Sequence, residues 1–268
     1  MSAFPRSWLF TPGSRPDRFG KAAATQAEAL ILDLEDAVAE AEKAAARTHV
    51  LAFLQDRGAV RQKIAVRINP LGRAVGLTDL AALAHLGSDL DYVLIPKAEE
   101  PVELSLAARV LEDAGSSAGL IALVESAQGV ARAHDLACAS PKLAALLFGA
   151  ADYAADLGQQ VGLFQPDLAR ATIVNAAAAG RIAAIDSPFF AIDRPDVLRA
   201  ECRKARSLGF YGKAAIHPGQ LEAMEVFMPT SAELDLAQRI LQAAPNGVGV
   251  LDGKMIDVAM VRWARRIG

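Results

Sequence analysis

Eight short apolar runs recur along the 268-residue chain, their starts 22 to 37 residues apart, most of them closed by proline, glycine or a charged side chain. They are Ser7–Pro12, Ala29–Asp36, Lys63–Pro70, Tyr92–Lys97, Gly119–Ser126, Ala144–Asp152, Arg181–Phe189 and Tyr211–Pro218. Runs this short, and this rich in Val, Ile, Leu and Phe, read as strands buried on both faces. Such strands are parallel, and the gaps leave room for one helix between neighbours. Eight strand–helix units in a chain of this length predict a (β/α)8 TIM barrel, with its active site at the C-terminal ends of the strands. Those ends carry Glu35, Asp36, Arg67, Lys97, Glu125, Asp152, Asp186 and His217. A polar ring at one mouth of an apolar barrel is a catalytic site by position.

Apolar residues make up 53% of the chain and charged residues 22%, which suits one large core, and no glycine- or serine-rich linker divides it. The barrel is expected over residues 1–228. Outer helices are expected from Pro16 to about Ala27, then over Ala41–Gln55, Asp79–Leu86, Pro101–Ala114, Gln128–Ala139, Pro166–Ala179, Arg194–Leu208 and Gln220–Phe227. Residues 229–268 form a C-terminal extension of two helices, Ser231–Ala243 and Asp257–Ile267, joined by the loop PNGVGVLDGKM. Closing a barrel does not require this tail, which is expected to pack on a neighbouring subunit. A net charge of -3 argues against nucleic-acid binding. No apolar stretch approaches the ~20 residues of a membrane span, and MSAFPRSWLFTP lacks a secretory apolar region, so the expected location is cytoplasmic. Cys138 and Cys202 have no partner at metal-ligand spacing and read as reduced, inert thiols.

Glu125 and Asp152 close the fifth and sixth runs. Neighbouring strands lie about 5 Å apart, so the two carboxylates can converge on one ion. Carboxylates without histidine or cysteine suit a hard cation that keeps waters, Mg2+ or Mn2+. The competing reading has each acid cap the helix that follows. Arg67 ends the third run, and its fork can hold a carboxylate or offset charge developing on an oxygen. It can equally be an ion-pair partner of Glu35 or Asp36, and both can hold at once. Lys97 either neutralises a substrate or pairs with those same acids. His217 reads as a wall residue. Arg15, Arg18 and Lys21 surround a helix start after the first strand, a place that suits a phosphate group or is simply a solvated face.

These segments resemble the citrate lyase β-subunit-like branch of the HpcH/HpaI aldolase superfamily. The resemblance is carried in order by RSWLFTPGSRPDRFGKA, ALILDLEDAV, VRINPLG, LIPKAE, ALVESAQGV, LLFGAADYAADLG, AIDSPFFAID, GFYGKAAIHPGQL and VLDGKMIDVAMVRWARRI. It implies a Mg2+-dependent carbon–carbon lyase that cleaves a citryl, malyl or citramalyl thioester to an acyl thioester and an α-keto acid. It makes Glu125 and Asp152 the metal ligands, with Glu125 also facing the substrate. Arg67 becomes the residue that binds the keto-acid portion, with Glu35 and Asp36 as supporting acids. Asp257 becomes an acid lent to a neighbouring subunit's site, and Arg15, Arg18 and Lys21 the contacts to coenzyme A phosphates or carrier pantetheine. Members of the family are commonly homotrimers. The second expectation is a citrate lyase β subunit that acts on a citryl group held by an acyl carrier protein. The third is a barrel that binds acyl-CoA without turnover. No histidine lies at ALILDLED, which disfavours an aldolase acting on free hydroxy-keto acids.

Overall fold

In the computed structural model, which describes residues 4–58, 60–87, 89–161 and 163–267, eight parallel strands close into a barrel in sequence order. They are β1 (Ser7–Pro12), β2 (Ala29–Asp33), β3 (Lys63–Arg67) and β4 (Tyr92–Ile95), then β5 (Gly119–Val124), β6 (Leu143–Phe148), β7 (Ala183–Asp186) and β8 (Gly212–Ala215). Helices occupy the intervals: α1 (Phe19–Ala23), α2 (Lys43–Gln55), α3 (Ala74–Ala84), α4 (Pro101–Asp113), α5 (Ala127–Ala131) and α6 (Ala133–Ala137). They continue with α7 (Ala150–Asp156), α8 (Asp167–Gly180), α9 (Pro195–Leu208) and α10 (Leu221–Met224). The TIM-barrel expectation therefore holds.

Alternation along the strands sorts side chains between the barrel interior and the helix layer. Trp8, Ile31, Leu94, Ile121, Leu123, Leu147 and Ile185 form one buried cluster. The same alternation continues the β2 column from Ile31 to Asp33, the β3 column from Ala65 to Arg67 and the β5 column from Leu123 to Glu125. Polar side chains thus stand on top of the apolar plug. Asp186 falls on the opposite face: it is fully buried and pairs with Arg170 of α8 and Lys213 of β8. It is a structural ion pair between barrel and helices, away from the mouth.

Several elements depart from the expected boundaries. The strand read as Ala144–Asp152 ends at Phe148, because Gly149 opens α7, so Asp152 lies in the first turn of a helix. Helix α3 begins five residues before Asp79, whose buried carboxylate accepts from Asn69 N and Nδ2 and from Arg47 Nε. The helix expected over Gln128–Ala139 breaks at Arg132 into α5 and α6.

The chain divides into two compact units, Met1–Glu225 and Val226–Gly268. Within the second, α11 (Ser231–Ala243) starts with a capping box between Thr230 and Glu233. It packs against α12 (Val258–Ile267) through Ala237, Ile240, Val261 and Ala264. Between them β9 (Gly249–Leu251) and β10 (Lys254–Ile256) form an antiparallel hairpin inside what reads as a loop. Asp252 and Gly253 both take positive φ at its turn, the conformation for which Asp-Gly is suited.

Candidate active site

A cavity of about 840 Å³ opens at the C-terminal mouth of the barrel. Its floor includes Phe10, Asp33, Arg67, Leu123, Glu125 and Leu147, and its rim includes Arg15, Arg18, Lys21, Asp36, Asp152 and His217. Residues far apart in sequence meet here because each lies near or beyond the C-terminal end of a strand of the same closed sheet.

Arg67 is 9% exposed and is fixed from three sides. Its Nε and Nη2 each donate to Asp33 at 2.6 Å, a bidentate pair. The β2–β3 register places Asp33 opposite Arg67, so the two inward-facing side chains meet. Nη1 faces Glu35 Oε2 at 2.9 Å, an ion contact off the hydrogen-bond direction, and Asp36 Oδ2 at 3.6 Å. The guanidinium carbon also lies 5.2 Å from the centre of the Phe10 ring. Burial opposes the charge, but Asp33 and Glu35 hold the guanidinium well above its ordinary pKa. Two of its five N–H groups serve Asp33 and one lies beside Glu35, which leaves donors for a ligand carboxylate. The expected pairing with Glu35 and Asp36 is present; the principal partner, Asp33, is one that sequence reasoning missed.

Asp33 itself is 1% exposed and also accepts from the backbone N–H groups of Glu35 and Ala37. Glu35 is 3% exposed. Its Oε1 accepts from Lys97 Nζ at 2.6 Å. Burial pushes its pKa up, against the pull of Arg67 and Lys97. Lys43 Nζ supports the same loop by donating to the carbonyls of Leu34 and Glu35 and to Asn69 Oδ1. Lys43 and Asn69 carried no sequence signal beyond their position in and beside the second and third strand–helix connections. Asp36 is exposed, close to both Arg67 and Lys97.

Glu125 is 3% exposed, and its Oε1 accepts from Lys97 N at 2.8 Å. Burial, with Glu35 and Asp152 nearby, pushes its pKa up to about 8. Gly149 makes room for it: a Cβ there would lie 2.8 Å from Glu125 Oε2. Neither acid is spent as a helix cap. Ser126 caps α5, and α7 has no side-chain cap. Asp152 is exposed on the cavity rim. A buried carboxylate repelled by two others is a site that a cation relieves. No set of three His, Cys, Asp or Glu that could hold a metal occurs among the described residues, so ligand or water oxygens would complete the shell. That donor set fits Mg2+.

Arg15, Arg18 and Lys21 are all exposed on the cavity rim, around a short 3-10 turn and α1. Arg15 pairs with Asp17. His217 is exposed, and its Nδ1 accepts from Gly219 N, which ties it to the start of a 3-10 turn as a wall residue. Asp257 belongs to the second unit, where it is exposed and its carboxylate accepts from Met260 N at the start of α12. No helix among the described residues is long and apolar enough to cross a membrane.

The sequence profile of the HpcH/HpaI aldolase/citrate lyase family matches residues 6–218. A (3S)-malyl-CoA thioesterase of Cereibacter sphaeroides is 38% identical over 97% of this chain and 92% of its own length. An L-malyl-CoA/beta-methylmalyl-CoA lyase of the same species is 33% identical over 98% and 93%. Among solved structures, CitE of Mycobacterium tuberculosis in complex with magnesium, acetoacetate and coenzyme A is similar with a TM-score of 0.79 at 34% identity. That likeness covers 100% of this chain and 98% of the other.

Proposed function

We propose that this chain, which belongs to the HpcH/HpaI aldolase/citrate lyase family and is a lyase, cleaves the carbon–carbon bond of a β-hydroxyacyl-CoA thioester of the malyl, citramalyl or citryl type. The products are an acyl-CoA and an α-keto acid. The observation that carries the reading is the pairing, on one cavity floor, of a buried arginine clamp with a buried acid of raised pKa. The first supplies a carboxylate site and the second a cation site.

Glu125 and Asp152 are the residues that would hold Mg2+, with Mn2+ as a substitute. When bound there, the ion supplies Lewis acidity that makes a substrate hydroxyl easier to deprotonate. Arg67 binds the carboxylate of the keto-acid half through the N–H groups that Asp33 leaves free. Its fixed charge also favours the carbonyl oxygen that forms as the carbon–carbon bond breaks. The hydroxyl proton leaves to solvent water, the bonding pair passes to the thioester half as an enolate, and the enolate then takes a proton at carbon. Asp257 from a neighbouring subunit's tail is assigned that proton transfer. Asp33 and Glu35 keep Arg67 oriented, and Asp36 adds negative charge beside it. Arg15, Arg18 and Lys21 meet the coenzyme A phosphates at the rim. The second unit packs on the next subunit of a homotrimer. Exposed Val250, Met255 and Trp263 support that role, because apolar side chains left in water favour burial.

The test is to incubate purified protein and Mg2+ with malyl-, citramalyl- and citryl-CoA and follow keto-acid release. Glyoxylate, pyruvate or oxaloacetate, formed with no carrier protein present, supports the reading and removes both the carrier-dependent and the non-catalytic alternatives. Free CoA with malate and no keto acid would mark thioester hydrolysis instead, the activity named for the 38%-identical relative.

A further inference from the structure

We propose that Lys97 is a positioning residue that locks the cation-binding acid and the arginine clamp into one register, a role that rests on the functions assigned above to Glu125 and Arg67. Lys97 follows β4 and takes φ of 49°, in the left-handed region. Only two other non-glycine described residues have positive φ, and local geometry accounts for both. Arg181 ends α8 as a left-handed cap, and Asp252 sits in the β9–β10 turn. Lys97 ends no helix and turns no hairpin. A residue with a Cβ persists in this conformation when its surroundings over-determine it, and such positions cluster at functional sites.

The surroundings of Lys97 are specific. Its N–H donates to Glu125 Oε1 at 2.8 Å, and the next N–H, of Ala98, donates to Leu123 O at 3.0 Å. Gly129 closes on this segment so tightly that a Cβ there would lie 2.7 Å from Ala98 O. With its backbone pinned this way, Lys97 extends its side chain to Glu35, where Nζ donates to Oε1 at 2.6 Å. The other oxygen of Glu35 faces Arg67. A continuous chain thus runs from Glu125 through the Lys97 backbone and side chain to Glu35 and Arg67. Lys97 does not line the main cavity; it lines a smaller one of about 480 Å³ with Glu35, Lys43, Asn69 and Arg73. It therefore acts through Glu35 and Glu125. Its side chain is 45% exposed, so shortening it leaves no void in the core.

Two variants separate positioning from mere support. Lys97→Met keeps the backbone strain and loses the donor to Glu35. Lys97→Gly keeps the N–H to Glu125 and relieves the strain. In both, kcat for thioester cleavage is expected to fall at least about tenfold, while KM changes less than about threefold. Affinity of the free protein for Mn2+, measured by calorimetry, stays within about threefold, because the N–H that orients Glu125 remains. Tm stays within about 2 °C in Lys97→Met and is equal or higher in Lys97→Gly. Lys97→Arg, which can still donate to Glu35, recovers part of kcat. A kcat within about threefold of wild type in Lys97→Met overturns the proposal. So does a loss of activity accompanied in both variants by about tenfold weaker Mn2+ binding and a Tm lower by more than about 5 °C, the pattern of structural support alone. A wild-type protein that binds Mn2+ yet turns over no thioester overturns the functional reading, and this role with it.

Discussion

Asp33 and Arg67 stand opposite each other in the β2–β3 register, and Arg67 donates two hydrogen bonds of 2.6 Å to the Asp33 carboxylate, both side chains buried. The pair makes the arginine a fixed tool. Its Nε–Nη2 edge is consumed by the protein, and the pair holds the side chain in one orientation. The same carboxylate holds the N–H groups of Glu35 and Ala37, so the loop that carries the flanking acids is tied to the clamp.

Removing Asp33 leaves a buried guanidinium without its bidentate partner. Asp33→Ala is expected to lower stability by about 3–5 kcal/mol, as breaking a buried ion pair from one side does. Urea melts check this. Arg67→Lys keeps a charge but loses both the fork and the guanidinium's place over the Phe10 ring. Its kcat/KM is expected to fall by about 100-fold or more. Near-normal kcat/KM would show the arginine to be peripheral to the chemistry.

Glu125 gives a pH signature in the absence of divalent cations. Its carboxyl is held at about 8 in the folded protein, against 4.5 ordinarily. Between these values the native state keeps a proton that the unfolded chain has lost. Stability is therefore fully present below the unfolded value and falls as pH rises, by up to ~1.4 kcal/mol per pH unit through this window. Glu125→Gln removes that slope, so with EDTA present the variant is expected to be the more stable protein at high pH and to bind Mg2+ far more weakly. Parallel pH profiles of wild type and Glu125→Gln, together with unchanged Mg2+ affinity, would refute the cation assignment.

The two thiols should differ. Cys138 is exposed, whereas Cys202 is buried and its thiol is pushed up to about 11. Iodoacetamide near pH 8 is expected to modify Cys138 alone in the native protein and both cysteines after denaturation, which mass spectrometry reads directly.

Much of this was legible because barrel strands buried on both faces leave continuous apolar runs, and their ends mark the mouth. Arg67 and Glu125 could be placed that way. Asp33 could not. ALILDLED carries acids at 33, 35 and 36, and only the pairing register says which one stands directly opposite Arg67 and takes its bidentate pair. GAA continues the apolar run and so puts Asp152 at a strand end in the sequence, whereas Gly149 opens a helix there. The hairpin in the second unit did have a signal, the Asp252-Gly253 pair between apolar residues. Reading it requires weighing a two-residue turn above the surrounding glycines. The left-handed backbone of Lys97 has no sequence signature, since Pro96-Lys97 fits a turn or a strand end equally well.

The tail offers the last test. Asp257 immediately precedes α12, whose Trp263 and Met260 are partly exposed, and a hairpin of the same unit exposes Val250 and Met255. If this unit docks on a neighbouring subunit and lends Asp257 to its site, Asp257→Ala and Arg67→Ala are each expected to be inactive, folded and oligomeric. Mixing and reassociating them would then pair an intact Arg67 in one subunit with an intact Asp257 in the next. In a cyclic oligomer assembled at random from equal amounts, one such pairing arises in about a quarter of the sites, so about a quarter of wild-type activity should return. Proven subunit exchange with no recovery would mean that Asp257 serves its own chain or serves only as the cap of α12.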